Sequence, residues 1–447
     1  MSCNWTTQKL ADLCDEITVG FVGSMTKEYV DKGIPFFRSK NISEYEVNWD
    51  DIKYVSPEFH KKLKKSALSP GDVAIVRTGK PGTCCVIPEN IKEANCSDIV
   101  IVRVDKAKLC PNYLSFFMNS MANHQVSSRL VGAVQQHFNV SAAKQIEIPL
   151  PTLNEQKDIV HVLKTISDKI FINTQTNQTL EQMAQAIFKS WFVDFDPVKA
   201  KMNGEQPEGM DAATASLFPE KLVETDMGEI PEGWHLVPVG KLLSKTIGGD
   251  WGKEEPDAKH TEEVRIVRGT DIPKLHGGAI ESVPVRYVEA KKLKTRKLER
   301  GDIVIEVSGG SKDQPTGRSL FISDNILKRL ELPSEPASFC RRFQPVNYEV
   351  GLLLAVHFQL MYKAGKTWEY QNQSTGISNF QTTYFLEAEH VVVPSQEVLD
   401  AFVKQVAPMM DMIHSNQNIE LAKLRDTLLP KLLSGEIELG QSVEVPE

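Results

Sequence analysis

Two hydrophobic patterns alternate along the chain, and they predict two kinds of structure. Short apolar runs, such as Val73–Val76 and residues 99–102, are bounded by Gly, Pro or polar clusters and are typical of buried strands. After Pro151 the pattern changes, and apolar positions recur at alternating spacings of four and three residues. This spacing is the heptad pattern of a long helix that packs along one stripe.

The first heptad stripe begins at a capping box, in which Thr152 and Glu155 each satisfy a free backbone N–H at the helix start. At about 1.5 Å per residue, the stripe predicts a rod roughly 50 Å long. An apolar stripe of this length must be buried against another surface. Its positions are Ile159, Leu163, Ile166, Ile170, Asn173, Asn177, Leu180, Ala184, Ile187 and Trp191.

A second stripe near the end of the chain supplies the predicted partner, about 241 to 243 residues further on. Asn173 and Asn416 occupy equivalent positions, where a buried Asn lowers stability but fixes the register of two helices. Pro408 removes one helical hydrogen bond and predicts a kink. The alternative is that each stripe belongs to the core of an ordinary helical domain. The second stripe contains Phe402, Val406, Met409, Ile413, Asn416, Leu421, Leu428 and Leu432.

The strand-rich segments form an internal repeat. The stretch LSPGDVAIVRTGKPG at 68–82 returns as LERGDIVIEVSGGSKDQPTG at 298–317, an offset of about 230 residues. At the same offset GIPFFRSKNI aligns with EVRIVRGTDI, which places Arg38 opposite Arg268. Several matches in one order and at nearly one offset predict a duplicated unit.

The predicted fold class is therefore α+β. Two tandem-repeat, globular, mixed α/β domains are separated by two long helices, which form an antiparallel coiled coil with pseudo-twofold symmetry. An extended connector containing Pro and Gly lets the chain turn back between the helices. The predicted boundaries are 1–151 for the first domain, 152–193 for the first helix, 194–233 for the connector, 234–394 for the second domain, 395–437 for the second helix and 438–447 for a tail.

Composition narrows the class of protein. The 447 residues contain no apolar run long enough to span a membrane and no signal-peptide pattern at the start. Seven cysteines without a CxxC pair favour a reducing cytoplasm. The formal net charge is −8, but the acidic excess lies in residues 151–225 and 396–447. The two large domains are each nearly neutral and can still present a basic face.

Motifs for catalysis are absent from the sequence. It has no phosphate-binding loop, no dinucleotide fingerprint and no HExxH zinc pattern. Asp302 and Glu306 resemble a nuclease carboxylate pair, but Ser308 stands where such a pair has its lysine. His137 and His357 are predicted to be ordinary surface or core residues. The residues therefore predict a protein that is not an enzyme and that binds neither cofactor nor metal itself.

Two similar domains held apart by a rod suit B-DNA, in which equivalent groove faces recur every 34–36 Å or so. Base edges are recognised by polar side chains on loops. For any single candidate, a solvated surface residue is the alternative interpretation. The candidates in the first domain are Lys27, Arg38, Lys40, Asn41, Arg77, Thr78, Lys80, Gln135, Gln136 and His137. Those in the second domain are Trp251, Lys253, Arg268, Thr270, Ser311, Lys312, Gln314, Arg318, Gln371, Asn372, Gln373 and Ser374.

Four sequence blocks resemble the specificity subunit of type I restriction–modification systems. They are IPLPTLNEQ at 148–156, KSWFVDFDPVKAK at 189–201, GEIPEGW at 228–234 and LLPKLLSGEIEL at 428–439. The resemblance implies two target-recognition domains, each of which reads half of a bipartite double-stranded DNA target, while the coiled coil sets the spacer. It does not transfer base contacts residue by residue, because these domains vary between members.

The resemblance also implies partners. Two adenine-methyltransferase subunits, and two restriction subunits where the host has them, would carry the S-adenosylmethionine, Mg²⁺ and ATP. The location would be the bacterial or archaeal cytoplasm near the nucleoid, without a membrane. The main alternative is a structural coiled-coil adaptor with two protein-binding heads and no sequence-specific DNA binding. A methyltransferase or nuclease acting by itself is a third possibility, for which S-adenosylmethionine affinity of the isolated chain is the discriminating measurement.

Overall fold

The computed structural model describes residues 5–131, 137–277, 279–310, 314–374, 377–415 and 417–439, apart from the side chains of residues 373, 374 and 377. The chain divides into two compact units. Unit 1 contains Met1–Ile170 and Glu420–Glu447, and unit 2 contains Phe171–Ile419. The predicted seam residue Asn416 lies outside the described residues.

Unit 1 is a mixed α/β domain. Its strands are β1 (Thr6–Lys9), β2 (Cys14–Val19), β3 (Tyr29–Val30), β4 (Ile34–Phe37), β5 (Lys53–Val55), β6 (Ala67–Leu68), β7 (Val73–Val76), β8 (Cys84–Val86), β9 (Ala94–Cys96), β10 (Ile99–Val104) and β11 (Glu147–Leu150). Its helices are α1 (Pro57–Lys62), α2 (Pro111–Ser120), α3 (Asn123–Ser127), α4 (Val140–Lys144) and the beginning of α5 (Leu153–Phe192).

The centre of unit 1 is a sheet with strand order β2-β10-β7-β8, in which each neighbouring pair is antiparallel. Both faces of this sheet are buried. Val100 and Val102 of β10 belong to one core cluster, and Ile99 and Ile101 belong to another. Because successive side chains on a strand point to opposite faces, a strand covered on both sides has a continuous apolar run. A second sheet has the order β3-β5-β4-β9-β6, and β1 pairs with β11.

Unit 2 repeats this plan with additions. Its helices are the end of α5, α6 (Asp196–Met202), α7 (Ala212–Ser216), α8 (Ile272–His276), α9 (Ala290–Arg296), α10 (Asp324–Leu330), α11 (Tyr348–Lys363), α12 (Thr382–Ala388) and α13 (Gln396–Ser415), with α14 (Gln417–Leu433) passing into unit 1. Its strands are β12 (Leu222–Thr225), β13 (Gly228–Pro231), β14 (His235–Pro238), β15 (Leu243–Gly248), β16 (Glu262–Val267), β17 (Val285–Val288), β18 (Ile303–Glu306), β19 (Ser308–Gly309), β20 (Ser319–Phe321), β21 (Ser334–Pro336), β22 (Cys340–Pro345), β23 (Gln371–Ser374), β24 (Ile377–Phe380) and β25 (His390–Val393).

The strand topology confirms the predicted duplication. The central order β15-β22-β18-β20 in unit 2 corresponds to β2-β10-β7-β8 in unit 1. In each unit one parallel pair occurs at the equivalent place, β4 with β9 and β16 with β21. The strand pair β14-β25 likewise corresponds to β1-β11. Unit 2 also has a sheet of order β19-β24-β23.

The heptad stripe of α5 is buried in each unit against a different part of the second helical segment. In unit 1, Ile159 and Leu163 share a core cluster with Leu432 of α14. In unit 2, Trp191 and Phe402 of α13 have ring centroids 6.2 Å apart. The beginning of α5 thus packs on the end of the second segment, and its end on the beginning, which is the antiparallel order. The intervening positions Ile166, Ile170, Asn173, Asn177, Leu180 and Ile187 are half-buried.

The second helical segment consists of α13 and α14, and its buried stripe differs locally from the sequence pattern. Met410 and Leu429 are almost fully buried, whereas the predicted Met409 and Leu428 are half-buried beside them. The shift by one residue reflects 3.6 residues per turn in a helix that packs against a domain as well as a partner helix. Pro408 is exposed inside α13, which is helical on both sides of it.

The segment between α5 and β14 corrects the expectation of an extended connector. It folds into α6, α7 and the antiparallel hairpin β12-β13. Val198 and Phe218 from this segment are buried in the core of unit 2 with Trp191 and Trp234. The prolines that suggested an open chain include Pro197, which lies in the first turn of α6, where the helix requires no backbone N–H.

Candidate nucleic-acid interface

Each unit contains a cleft at the same place in the repeat. In unit 1 the cleft lies between the turn after β4 and the loop after β7. In unit 2 it lies between the turn after β16 and the loop after β18. Cleft 1 has a volume of about 750 Å³ and is lined by Ser39, Lys40, Ile42, Ser43, Glu44, Glu46, Val76, Thr78, Gly79, Lys80 and Thr83. Cleft 2 has a volume of about 770 Å³ and is lined by Trp251, Arg268, Gly269, Thr270, Glu306, Ser308, Gly309, Gly310, Gln314, Arg318, Ala337, Ser338 and Phe339.

Glycines shape the loop on one side of each cleft. Gly79 has a φ of 88° and Gly310 a φ of 73°, which residues with a side chain rarely adopt. A Cβ atom on Gly79 would meet no atom within 4 Å, so the backbone conformation rather than crowding requires glycine there. The loop can therefore turn tightly and leave backbone groups open to a ligand.

Cleft 1 presents two exposed lysines, Lys40 and Lys80, both of which are DNA-binding candidates from the sequence. Thr78 also lines the cleft, and its hydroxyl donates to the carboxylate of Asp98. Ser39 Oγ donates to Asp98 Oδ2 at 2.9 Å from the opposite side. Arg77 lies farther away, with Nη1 3.9 Å from Asp98 Oδ1. Asp98 therefore ties together the two loops that form cleft 1.

Asn41 corrects the prediction of a base-contacting residue. Its side chain is fully buried, and its amide nitrogen donates to the carbonyl oxygens of Asn48 and Asp50 at 3.1 and 3.0 Å. Its amide oxygen accepts from the backbone N–H of Arg38 at 3.1 Å. The side chain therefore stabilises the loop beside cleft 1 and has no face left for DNA.

The two arginines aligned by the repeat have the same structural role. Arg38 donates to the main-chain carbonyl of Asp51, and Arg268 donates to that of Ser282. Arg268 also binds Asp271 with two hydrogen bonds of 2.8 Å, and this partner raises the pKa of the guanidinium. Both arginines brace the loop on their C-terminal side, and in Arg268 the Nε and Nη2 donors are already used.

The floor of cleft 2 is a buried ion pair. Arg318 Nε and Nη2 donate to the two carboxylate oxygens of Glu306 at 2.8 and 2.6 Å. The carboxylate raises the pKa of Arg318. Asp302, the other member of the nuclease-like pair, instead accepts from Arg342 Nε at 2.7 Å. Each acid is thus neutralised by its own arginine, which explains these carboxylates without catalysis.

Several polar candidates of unit 2 are used in its own structure. Gln371 Oε1 accepts from the backbone N–H of Thr316 at 2.8 Å, and its Nε2 donates to Ser378 Oγ at 3.1 Å. This corrects its assignment as a base reader. Gln314 is exposed and lies 3.4 Å from the hydroxyl of Tyr362. Exposed Asn372 accepts from Gln381 at 3.1 Å, and Thr270 is exposed at the edge of cleft 2.

Aromatic side chains at cleft 2 were only partly predicted. Trp251 is 40% exposed and lies beneath the Arg286 guanidinium, whose carbon is 5.0 Å from the ring centroid. Lys253 pairs with Asp257 at 2.7 Å. Phe339, 65% exposed, lines the cleft but was missed. Nothing in the sequence indicates that a single Phe before an apolar strand is exposed. In both repeats, however, the residue just before β10 or β22 lies beside the cleft.

The remaining candidates fall outside these contacts. Lys27 is exposed in a turn and does not line cleft 1. His137 is half-buried and pairs with Val131 in an isolated bridge. His357 is a core residue, because its Nε2 is 2.8 Å from the buried carboxylate of Glu389. Gln135, Gln136, Ser311 and Lys312 lie outside the described residues, as do the side chains of Gln373 and Ser374.

Comparisons with known proteins show what this chain is similar to. The family model described as "Type I restriction modification DNA specificity domain" matches residues 3–182. The specificity subunit of the type I restriction enzyme HindI of Haemophilus influenzae is 28% identical over 66% of this chain and 70% of its own. The MjaIX specificity subunit of Methanocaldococcus jannaschii is 24% identical over 98% of this chain and 94% of its own.

A solved structure supports the fold. The S subunit of a type I restriction–modification system from M. genitalium matches with a TM-score of 0.58 and 16% identity, covering 96% of each chain. The chain is therefore similar to type I restriction–modification specificity subunits over most of its length, and its residues 3–182 match the model of their DNA specificity domain. Both sequence relatives carry the name of specificity subunits, the family that the four sequence blocks resemble.

Among the described residues, His, Cys, Asp and Glu side chains do not gather in groups of three or more that could hold a metal ion. None of the described helices is both long enough and apolar enough to cross a membrane.

Proposed function

We propose that units 1 and 2 each read one half of a bipartite double-stranded DNA target and direct partner subunits to it. The observation that carries this proposal is the pair of clefts at equivalent places in the repeat, because a duplicated binding surface suits a ligand with two similar sites. At aligned positions the clefts differ, with Lys40 opposite Thr270 and Lys80 opposite Gly310, so the half-sites would differ and the target would be asymmetric.

The side chains divide into two roles. The exposed ammonium groups of Lys40 and Lys80 are suited to phosphate oxygens, which position a protein on DNA without reading sequence. Exposed Thr270 and Gln314 at cleft 2 can donate to and accept from base edges. Backbone N–H groups of the glycine-containing loops add donors that need no side-chain ordering.

The coiled coil supports a second part of the proposal. A stiff helix pair with a buried stripe can hold two recognition surfaces at a set separation, and its length would then set the unspecified spacer of the target. The acidic excess of the helical segments favours a surface for protein rather than for DNA.

The partners follow from the family. We propose that two adenine-methyltransferase subunits bind this chain, with restriction subunits added where the host has them. S-adenosylmethionine, Mg²⁺ and ATP would be held by those partners, and the target adenine would leave the base stack inside the methyltransferase. A cytoplasmic location stays a prediction.

A domain exchange tests the proposal. Residues 1–150 are replaced by the equivalent residues of another family member, and methylated adenines are mapped in cells that contain the complete complex. One half of the methylated sequence should change while the other half and the spacer stay the same. Exchange of residues 234–394 is the matched control and should change the opposite half. If either exchange changes both halves of the methylated sequence, the two units do not read DNA independently. If the complex binds DNA without selectivity or does not bind it, the structural adaptor is the favoured function.

A further inference from the structure

Three basic side chains of unit 1 converge on one carboxylate beside cleft 1. Lys53 Nζ is 2.7 Å from Asp51 Oδ1, and Arg38 Nη2 is 3.3 Å from Oδ2. Lys40 forms a third ion pair with Oδ2. Hydrogen bonds from Lys40 and Lys53 hold the pKa of Asp51 well below its usual range. Three cations on one anion leave two positive charges without a balancing partner in this cluster.

The backbone holds Asp51 at the centre of these cations. Asp51 has a φ of 49°, in the left-handed region that Asp tolerates better than most residues. The preceding residue is anchored, because the buried amide of Asn41 donates to the carbonyl of Asp50 at 3.0 Å. Arg38 donates to the main-chain carbonyl of Asp51 itself. The carboxylate is therefore positioned by the loop and does not reach the cations through chance side-chain rotation.

The cluster remains open to an external anion. The side chain of Asp51 is 50% exposed, and those of Lys40 and Lys53 are 52% and 39% exposed. Lys40 lines cleft 1 directly. Within the described residues, the buried Nε of Arg38 has no hydrogen-bond partner. The cations can thus exchange one anionic oxygen for another without unfolding the loop.

Unit 2 lacks this excess charge at the equivalent place. Arg268 binds Asp271, which is almost fully buried, as one cation with one anion. Thr270 of unit 2 aligns with Lys40 of unit 1. Pro284 is the counterpart of Lys53, because the backbone of Ile266 pairs with Pro284 as that of Phe36 pairs with Lys53. The same fold position therefore carries two extra positive charges in unit 1 and none in unit 2.

We propose that Arg38, Lys40 and Lys53 form a binding site for a backbone phosphate of DNA, and that Asp51 occupies this site as an internal anion until the phosphate displaces it. This proposal rests on the proposed function and identifies one contact of that interface. A phosphodiester carries one negative charge and accepts hydrogen bonds as a carboxylate does, so it can replace Asp51 on the same donors.

The internal anion would increase selectivity. Every DNA sequence must compete with Asp51 for the cations, so phosphate attraction alone contributes less to binding. A target sequence offsets this cost through its base contacts, whereas other sequences do not. Electrostatic attraction dominates sequence-independent binding, so the effect should be largest on DNA that lacks the target.

The test uses the complete methyltransferase complex and fluorescence anisotropy on duplexes with and without the target, between 50 and 200 mM NaCl. Asp51→Asn should tighten binding to the duplex without the target about tenfold and steepen the slope of log K against log salt by about 0.9. Binding to the target should tighten less, so selectivity falls. Asp31→Asn, which removes the charge of another exposed carboxylate of unit 1, is the matched control and should change neither quantity to this extent.

A second variant keeps the test valid if Asp51→Asn disturbs the loop. Lys53→Met should weaken binding to both duplexes by a similar factor and reduce the salt slope by about 0.9. The proposal is overturned if Asp51→Asn folds normally and matches Asp31→Asn, or if Lys53→Met leaves the slope unchanged. Failure of the proposed function is a separate outcome, since the unaltered complex would then not distinguish the two duplexes.

Inorganic phosphate distinguishes the source of the anion. At matched ionic strength, phosphate should inhibit DNA binding no more than chloride does, because a free ion lacks the attachment that lets DNA displace Asp51. Phosphate-specific inhibition that disappears in Lys53→Met would assign the site to the free ion and overturn its assignment to the DNA backbone.

Discussion

Arg318 and Glu306 form a bidentate ion pair at the floor of cleft 2, with donor–acceptor distances of 2.8 and 2.6 Å. The Glu306 side chain is only 3% exposed and that of Arg318 14%. From the sequence, Glu306 resembled a catalytic acid and Arg318 was a candidate for contacting bases. Their mutual neutralisation assigns both of them to the structure of the cleft.

The ion pair predicts an asymmetry between single and double substitution. Arg318→Ala should lower the free energy of unfolding by about 3–5 kcal/mol, because it leaves the Glu306 carboxylate buried without a partner. Arg318→Met combined with Glu306→Leu should cost much less, since both charges are removed together. Chemical denaturation measures both values, and equal losses in the two variants would show that the pair is not desolvated.

Asn41 and Lys80 border the same cleft but should respond differently to substitution. Asn41→Ala should lower the free energy of unfolding by about 1–3 kcal/mol, because the carbonyls of Asn48 and Asp50 lose their buried donor. Lys80→Ala should leave stability within about 0.5 kcal/mol of the original while weakening DNA binding at low salt. Thermal unfolding and anisotropy titrations together separate these effects. Reduced DNA affinity of Asn41→Ala without destabilisation would return Asn41 to the interface.

Glu335 predicts a pH dependence of stability. Its side chain is fully buried, and within the described residues neither carboxylate oxygen has a hydrogen-bond partner. Burial raises the pKa of this carboxyl to about 7 from 4.5. The folded state therefore binds more protons than the unfolded state between these values, so the stabilising contribution is fully present below pH 4.5 and is lost as the pH rises through 7.

Glu335→Gln should remove this pH dependence, because glutamine imitates the neutral acid. Denaturant midpoints should match those of the original protein at pH 5 and exceed them at pH 8. Glu255→Gln, at an exposed position, is the control and should follow the original protein at both values. A Glu335→Gln variant that is less stable at pH 8 would show that the carboxylate is charged and partnered in the folded state.

The length of α5 is predicted to control the spacer of the DNA target. Inserting four residues after Thr176 adds about 6 Å to the helix and rotates its C-terminal part by roughly 40° beyond one full turn. The methylated sequence should then have a changed spacer, or methylation should be lost. The same insertion in the loop after Glu205 is the control, and there the spacer should be preserved. An unchanged spacer after the helix insertion would separate the helix from spacing.

Much of the fold could be predicted because its signals are local and periodic. The duplicated motif around Gly71 and Gly301 identified equivalent strands, and the heptad pattern identified α5 and its partner segment. The segment after α5 was misjudged, because the aromatic contacts of Phe218 with Trp191 and Trp234 join residues distant in sequence. Prolines indicate where a helix or turn begins, but they do not show whether the segment packs on a core.

The sequence by itself determined the repeat, the helix pair and the loops that border the two clefts, since composition and spacing express backbone geometry directly. Only the tertiary structure decided which polar side chains of those loops are available to a ligand. In the sequence, Asn41, Arg318 and Lys80 are all polar loop residues that could contact DNA. In the fold, the side chains of Asn41 and Arg318 are hydrogen-bonded to other residues of the protein. A side chain's free donors depend on which groups surround it in space, and linear spacing does not record those neighbours.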